Sequence, residues 1–254
     1  MHADVEQRHI PIEGTYNFRD TGGYRAGAGT TRTGVLYRSD ALHNLTDAGV
    51  EALREREIGT VIDLRTVEER TKSPNRVGEL PVTDVHAPIF ESTGGSNTMG
   101  IELGLDVIYN FFVDDRGEFL ARAIGLIAAA SGPVVVHCTA GKDRTGMVIA
   151  LALSAAGVGD DDVIANYAAS QQYLYGEWAD QAMSRLAAHG IEPTETARLF
   201  LAGTPPELMV HSLDRIRQGW GSVPEYLTAH GLEVDELAAL TALLVTGDPV
   251  DAAV

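Results

Sequence analysis

Residues 133 to 157, "PVVVHCTAGKDRTGMVIALALSAAG", constrain the fold of this chain more than any other stretch. Three consecutive valines show no alternation of apolar and polar positions. Such a strand is covered on both faces, and strands of that kind belong to parallel sheets flanked by helices. The apolar run after the loop is continuous over helical length and closes at Gly157, so it reads as a buried helix. The loop between them therefore joins the C-terminal end of a strand to a helix N-terminus, the place where open α/β sheets bind ligands.

The rest of the first half repeats the alternation. "GVLYRS" (34–39), "TVIDLR" (60–65) and "VTDVHAPI" (82–89) read as strands. "TDAGVEALREREI", capped by Thr46, and "EFLARAIGLIAAA", with Phe119, Ala123, Ile124 and Ile127 on one face, read as helices. From Asp160 onward the strand signal gives way to successive helical segments, with Gly190, Gly219 and Gly231 at expected helix stops. The expectation is an α/β fold with a central, mainly parallel sheet flanked by helices and a helical C-terminal half. No Pro/Ser-rich linker separates sheet and loop (1–159) from packed helices (160–254), so residues 1–254 read as a single domain. "ESTGGSNTMG" (91–100) is the most loop-like stretch, and "GAGTTR" (27–32) reads as a turn.

Composition narrows the function. A hydrophobic fraction of 44% and a charged fraction of 22% are those of a globular protein. The formal net charge of -17 argues against nucleic acid and against residence on an anionic membrane. No stretch is long and apolar enough for stable membrane insertion, and "MHADVEQRHIPIEG" has no basic and apolar leader pattern. The cytoplasm is the default location, with signal-less secretion left open. The single cysteine cannot form an intramolecular disulfide. The eight histidines show no metal-ligand spacing, so neither a metal nor another cofactor is expected.

That single cysteine, Cys138, stands in the loop just before Lys142 and Arg144. Nearby cations and a helix N-terminus stabilise a thiolate, which is the nucleophilic form. With five residues between Cys138 and Arg144, the backbone can curl so that its N–H groups point inward. The result is a cradle for a tetrahedral anion, built from Thr139, Ala140, Gly141, Lys142, Asp143, Arg144 and Thr145. The loop is not a Walker A motif, because Asp143 follows Lys142 and Val136 stands where a glycine is needed. A lone cysteine is more often a small buried hydrophobe. Here the residues around it make phosphate the natural guest.

"HCTAGKDRTG" has the H-C-x5-R-[ST] form and resembles the cysteine-dependent protein tyrosine phosphatases, in particular a bacterial branch of that family. "YNFRDTGGY", "VLYRSDAL", "VIDLRTVEER", "VIANYAASQQYL" and "GWGSVPEYLTAHGL" match its landmarks in order. The resemblance implies a phosphatase in which Cys138 forms a cysteinyl-phosphate that water then hydrolyses. It further implies that Arg144 and the loop N–H groups bind the phosphoryl oxygens, that Thr145 hydrogen-bonds the sulfur, and that His137 holds the loop. A satisfied core role for His137 is equally compatible.

Classical members carry the general acid on a Trp-Pro-Asp loop, but neither Trp178 nor Trp220 is followed by Pro-Asp. The resemblance then points to Asp143, with Glu91 second and Asp63 and Arg65 behind them. For Asp63 and Arg65, a strand-end ion pair with Glu68 or Glu69 is the structural expectation. Asn17, Arg19, Asp20, Arg38, Ser39 and Asp40 are expected to form a buried polar network beside the site, and residues 166–220 to pack as helices or a lid. Substrates would be phosphorylated proteins, phosphotyrosine first. A phosphoinositide is the alternative because Lys142 matches the second cation of lipid phosphatases. A phosphate-binding pseudoenzyme or a sulfurtransferase ranks lower, and oligomeric state is open.

Overall fold

The computed structural model describes residues 8–78, 80–90 and 104–247. The strands are β1 (Arg19–Asp20), β2 (Arg25–Ala26), β3 (Gly29–Thr31), β4 (Leu36–Ser39), β5 (Thr60–Asp63), β6 (Thr83–His86), β7 (Val134–His137) and β8 (Val245–Thr246). The helices of the first half are α1 (Asp47–Glu55), α2 (Val67–Lys72), α3 (Leu105–Asp115), α4 (Gly117–Ala128) and α5 (Asp143–Ala155). The second half adds α6 (Asp160–Ala168), α7 (Ser170–Leu174), α8 (Glu177–Ala188), α9 (Glu195–Ala202), α10 (Pro206–Trp220), α11 (Val223–Ala229) and α12 (Val234–Leu244).

The main sheet has the order β1-β4-β7-β5-β6, with β4, β7, β5 and β6 mutually parallel and β1 antiparallel at the edge. β7 lies at its centre and every residue of it is buried, as the uninterrupted valines require. One face presents Leu36, Ile62, Val134 and Val136 to a core shared with α3, α4, α5 and the C-terminal helices. The other presents Tyr37, Val61 and Val135 to a smaller cluster with Leu42, Val50 and Leu53. The larger core draws residues from both halves of the chain.

Several local expectations hold. Thr46 caps α1 by accepting from Gly49 N–H, and α5 gives way to Gly157 in the left-handed region. Of the expected α4 face, Ala123, Ile124 and Ile127 are fully buried, whereas Phe119 is only partly so and Leu120 is fully buried in its stead. Gly219 lies inside α10, which runs on to Trp220 and stops before Gly221. "GAGTTR" is more than a turn, because its Gly29–Thr31 portion is β3, in a hairpin with β2. The helical C-terminal half ends in a strand: Thr246 and Val245 pair with Thr30 and Thr31. Short strands of this kind carry too few residues for a period to show. The 91–100 loop lies outside the described residues.

Candidate active site

The order β4-β7-β5 places the end of β7 between the ends of two parallel neighbours, and the loop after His137 sits in that crevice. Gly141 lets it turn there. It adopts φ +68°, and a Cβ would lie 2.3 Å from the Ser39 carbonyl oxygen.

The loop carbonyls are directed away from its interior. Thr139 O accepts from Ala41 N–H at 3.2 Å, and Lys142 O from Gly146 N–H at 2.7 Å. Asn17 Nδ2 donates to Ala140 O at 3.0 Å and to Gly141 O at 3.1 Å, and Arg38 Nη2 donates to Gly141 O at 2.7 Å. With the oxygens pinned outward, the N–H of Gly141 donates to Cys138 Sγ at 3.3 Å. Those of Thr139, Ala140 and Lys142 have no acceptor among the described residues. These uncommitted N–H groups, in the loop leading into α5, form an anion-binding concavity with Cys138, 2% exposed, at its floor.

Arg144 stands at the rim. Its Nη1 and Nη2 donate to the two carboxylate oxygens of Glu69 at 2.7 and 2.9 Å, a bidentate pair. Thr139 Oγ1 also donates to Glu69. Burial acts to raise the Glu69 carboxyl, but the Arg144 and Thr139 bonds win and hold it down to about 2. Burial likewise opposes the charge on Arg144, and Glu69 with the nearby Cys138 raises that guanidinium above its ordinary value. Glu69 is positioned by the N-terminus of α2, where Thr66 and Glu69 form a reciprocal capping box.

Asp143 is the first residue of α5. Its Oδ1 accepts from Tyr109 Oη at 3.0 Å and faces Lys142 Nζ at 3.3 Å. The Tyr109 and Tyr167 hydroxyls are 2.7 Å apart. Each phenol carries one proton and Oδ1 of Asp143 accepts, so the order that satisfies all three is Tyr167 to Tyr109 to Asp143. Burial raises both phenols, so they remain donors. Oδ2 of Asp143 has no hydrogen-bond partner among the described residues, and the side chain is 27% exposed.

Lys142 points elsewhere. Its ammonium donates to Phe200 O at 2.7 Å and Gly203 O at 3.0 Å, at the C-terminus of α9, where a cation meets the negative end of the helix. Ala140 packs in a cluster with Leu174, Trp178, Ala179, Ala182 and Ala202, so α7, α8 and α9 lie on this side of the loop.

His137 is fully buried. Its Nδ1 bonds Cys138 O at 3.2 Å, while Nε2 lies 3.8 Å from Asp63 and has no hydrogen-bond partner among the described residues. Burial outweighs the attraction of Asp63 and lowers the imidazole to about 4, so it is neutral at pH 7. Thr145 is buried and its Oγ1 makes no hydrogen bond among the described residues, so the expected bond to the sulfur is not formed. Arg65 pairs with Asp63 at 2.8 Å rather than with Glu68 or Glu69, and Arg70 lies 3.8 Å from the same carboxylate. Glu91 lies outside the described residues.

The expected polar network is present with one change. Asn17, Arg19 and Arg38 converge beneath the loop with Asn166 and Ser170, and Asp40 accepts from the N–H groups of Tyr16 and Asn17. Burial raises Asp40 to about 6 against those bonds. Asp20 instead caps the turns at Gly22 and Gly34. Sequence reasoning passed over Glu69, Tyr109, Asn166 and Ser170 as site residues. Only Glu69 carried a local sign, the Thr66-x-x-Glu69 capping pattern; the others are brought in by long-range packing.

A model of the tyrosine phosphatase family matches residues 10–246. A Cupriavidus necator protein, assigned by name to the tyrosine-protein phosphatases, is 33% identical over 245 residues, covering 92% of this chain and 88% of that one. The triple specificity protein phosphatase PtpB of Mycobacterium tuberculosis is 31% identical over 265 residues, covering 89% of this chain and 94% of its own. Among solved structures, P. aeruginosa TpbA aligns with a TM-score of 0.35 and 19% identity over 71% of this chain and 98% of that one.

Proposed function

Because the chain belongs to the tyrosine phosphatase family and is a protein-tyrosine phosphatase by that membership, we propose that Cys138, Arg144 and Asp143 carry its catalysis. The observation that supports this most is the loop itself, with its carbonyls pinned outward, the N–H groups of Thr139, Ala140 and Lys142 uncommitted among the described residues, that of Gly141 on the sulfur, and the one cysteine at its floor.

A phosphate monoester enters with its oxygens on the loop N–H groups and on Arg144. Cys138 Sγ attacks phosphorus; the S–P bond forms as the bond to the ester oxygen breaks. Asp143, held at Oδ1 by Tyr109, enters this step protonated at Oδ2 and gives that proton to the departing oxygen. Water then attacks the cysteinyl-phosphate, giving its proton to Asp143 and releasing inorganic phosphate and the thiolate. Charge developing on the phosphoryl oxygens meets donors already in place. Glu69 keeps the Arg144 guanidinium in a fixed plane, and His137 supports the loop as a neutral group.

Protein phosphotyrosine is the preferred substrate. The M. tuberculosis relative is named for triple specificity, and broader phosphoester hydrolysis is proposed here on that likeness. The phosphoinositide alternative loses its main support, because the lysine that would bind a second phosphate is committed to the carbonyls of α9. Both Cys138 and Arg144 are present, which disfavours a pseudoenzyme. Among the described residues no helix is long and apolar enough to cross a membrane. With its core shared between the halves, the chain is read as one domain.

Phosphate release from a phosphotyrosine peptide, a phosphothreonine peptide and a soluble phosphoinositide, by wild type and Cys138→Ser, tests the assignment. Release that depends on Cys138 and is fastest from phosphotyrosine is expected. Undiminished release by Cys138→Ser would remove the cysteine from the mechanism.

A further inference from the structure

Two fully buried arginines lie beneath the phosphate loop, and among the described residues neither has a carboxylate within ion-pairing distance. Arg19 donates to Asn17, to Asn166 O at 2.8 Å and to Ser170 Oγ at 2.8 Å. Arg38 donates to Asn166 Oδ1 at 2.7 Å, Ser170 Oγ at 3.1 Å and Gly141 O at 2.7 Å. Every partner is a neutral oxygen. A buried charge is ordinarily paired, because desolvating it costs several kcal/mol that neutral acceptors recover only in part. The nearby Asp40 acts on Arg19 electrostatically, but its carboxylate is taken up by backbone N–H groups and Ser39. The two guanidiniums also repel each other.

Resting on the phosphatase reading above, we infer that Arg38 is an electrostatic positioning residue. Its unneutralised charge, delivered through the Gly141 carbonyl, stabilises the Cys138 thiolate and the phosphoryl anion above it. The covalent path is short. Gly141 C=O shares a peptide unit with the N–H of Lys142, one of the uncommitted cradle donors, so a cation on the oxygen polarises that N–H toward the anion. Asn17 does the same through Ala140 O for the Gly141 N–H, which donates to the sulfur. Arg38 and Cys138 also interact directly across the low-dielectric interior.

The charges around the sulfur otherwise nearly cancel: Arg144 is matched by Glu69, and Lys142 lies beside Asp143 and the α9 carbonyls. Asp63 is matched by Arg65, and His137 is neutral. The groups facing Arg38 are Arg19 and the phenols of Tyr24, Tyr109 and Tyr167, which burial keeps protonated in the last two cases. Asp40 offsets one of the two guanidiniums, so Arg38 with Arg19 leaves a net positive charge of one under the loop, in a molecule whose formal charge of -17 would repel a phosphate at range.

Asn166→Asp tests this without removing either arginine. It is isosteric, keeps the bond to Arg38 Nη1, can accept from the Tyr24 hydroxyl, and supplies the missing carboxylate. If the inference holds, alkylation of Cys138 by iodoacetamide at mildly acidic pH slows about tenfold, as an opposite charge next to Arg38 would require. The affinity for vanadate, a phosphate-like oxyanion, falls alongside, while the thermal midpoint is unchanged or rises. Alkylation and vanadate binding at wild-type values in folded Asn166→Asp would overturn it. So would a loss of both that is reproduced by the neutral Asn166→Leu, because charge would then be irrelevant. Alkylation needs no turnover, so failure here leaves the phosphatase assignment standing, and a failed assay of phosphate release leaves this result readable.

Discussion

The loop has two sides, and they handle positive charge in opposite ways. At the rim, Arg144 is held by both oxygens of Glu69 in a partly exposed ion pair. Underneath, Arg19 and Arg38 are fully buried and, among the described residues, held only by neutral oxygens. The arginine proposed to meet a substrate has a carboxylate to orient it, and water and ligand can share its donors. The arginines that never meet the substrate have none, so their field is directed into the loop. Local geometry and local field are thereby set by different residues, and substitutions on the two sides should separate them.

The largest effect at the rim belongs to Arg144→Lys. It retains charge and loses the planar fork, so steady-state kinetics should show kcat down by about 10²–10³ with little change in thermal midpoint. A near-normal kcat would mean that the rim needs charge alone, and the contrast between the two sides would dissolve.

Next comes Asp143→Asn. With a poor leaving group such as phenyl phosphate it should lose about 10²-fold, and with p-nitrophenyl phosphate far less, because only the poor leaving group needs the proton. Equal losses on both would take the acid role from Asp143 and return it to Glu91.

Glu69→Gln should reduce kcat/KM about tenfold by loosening Arg144. It also carries a pH signature. The Glu69 carboxyl is lowered in the fold, from its ordinary 4.5 to about 2, so its stabilisation is complete above 4.5 and is lost as pH falls toward 2. The shift corresponds to at most about 3 kcal/mol, less after allowing for partial exposure. Denaturant titrations should show wild type losing stability over that interval more steeply than Glu69→Gln. Parallel curves would show that the clamp contributes nothing to the fold.

The smallest kinetic effect is expected for Lys142→Met, which frees the two α9 carbonyls. It should lower stability by about 1–3 kcal/mol and slow phosphotyrosine and phosphoinositide hydrolysis equally. A loss confined to the phosphoinositide would restore Lys142 as a second phosphate ligand.

Sequence reasoning reached the parts of this molecule that are written locally. The valine run of β7, the apolar helix after it and the cysteine-to-arginine spacing each sit within a few residues, so the strand, the helix and the loop could all be read. Thr46 announces its helix by short-range capping; Thr66 carries the same local sign, which sequence reasoning passed over. What escaped is set by pairing across the fold. Glu69 is 75 residues from Arg144, and nothing in "VIDLRTVEER" shows which cation its α2 helix will face. Tyr109 and Asn166 look like ordinary helical residues until α3 and α6 pack against α5 and the loop. Lys142 was misdirected for the same reason: the carbonyls that attract it lie at the end of α9. β8 was hidden because two residues of strand carry no period.

The most direct test of the account is a rapid acid quench of wild type with a phosphotyrosine substrate, followed by mass spectrometry of the digest. Phosphate retained on the peptide that contains Cys138, absent from Cys138→Ser and accumulating when hydrolysis of the intermediate is slowed by Asp143→Asn, is the predicted result. Turnover with phosphate on another residue, or with no covalent species at any quench time and no loss in Cys138→Ser, would contradict it.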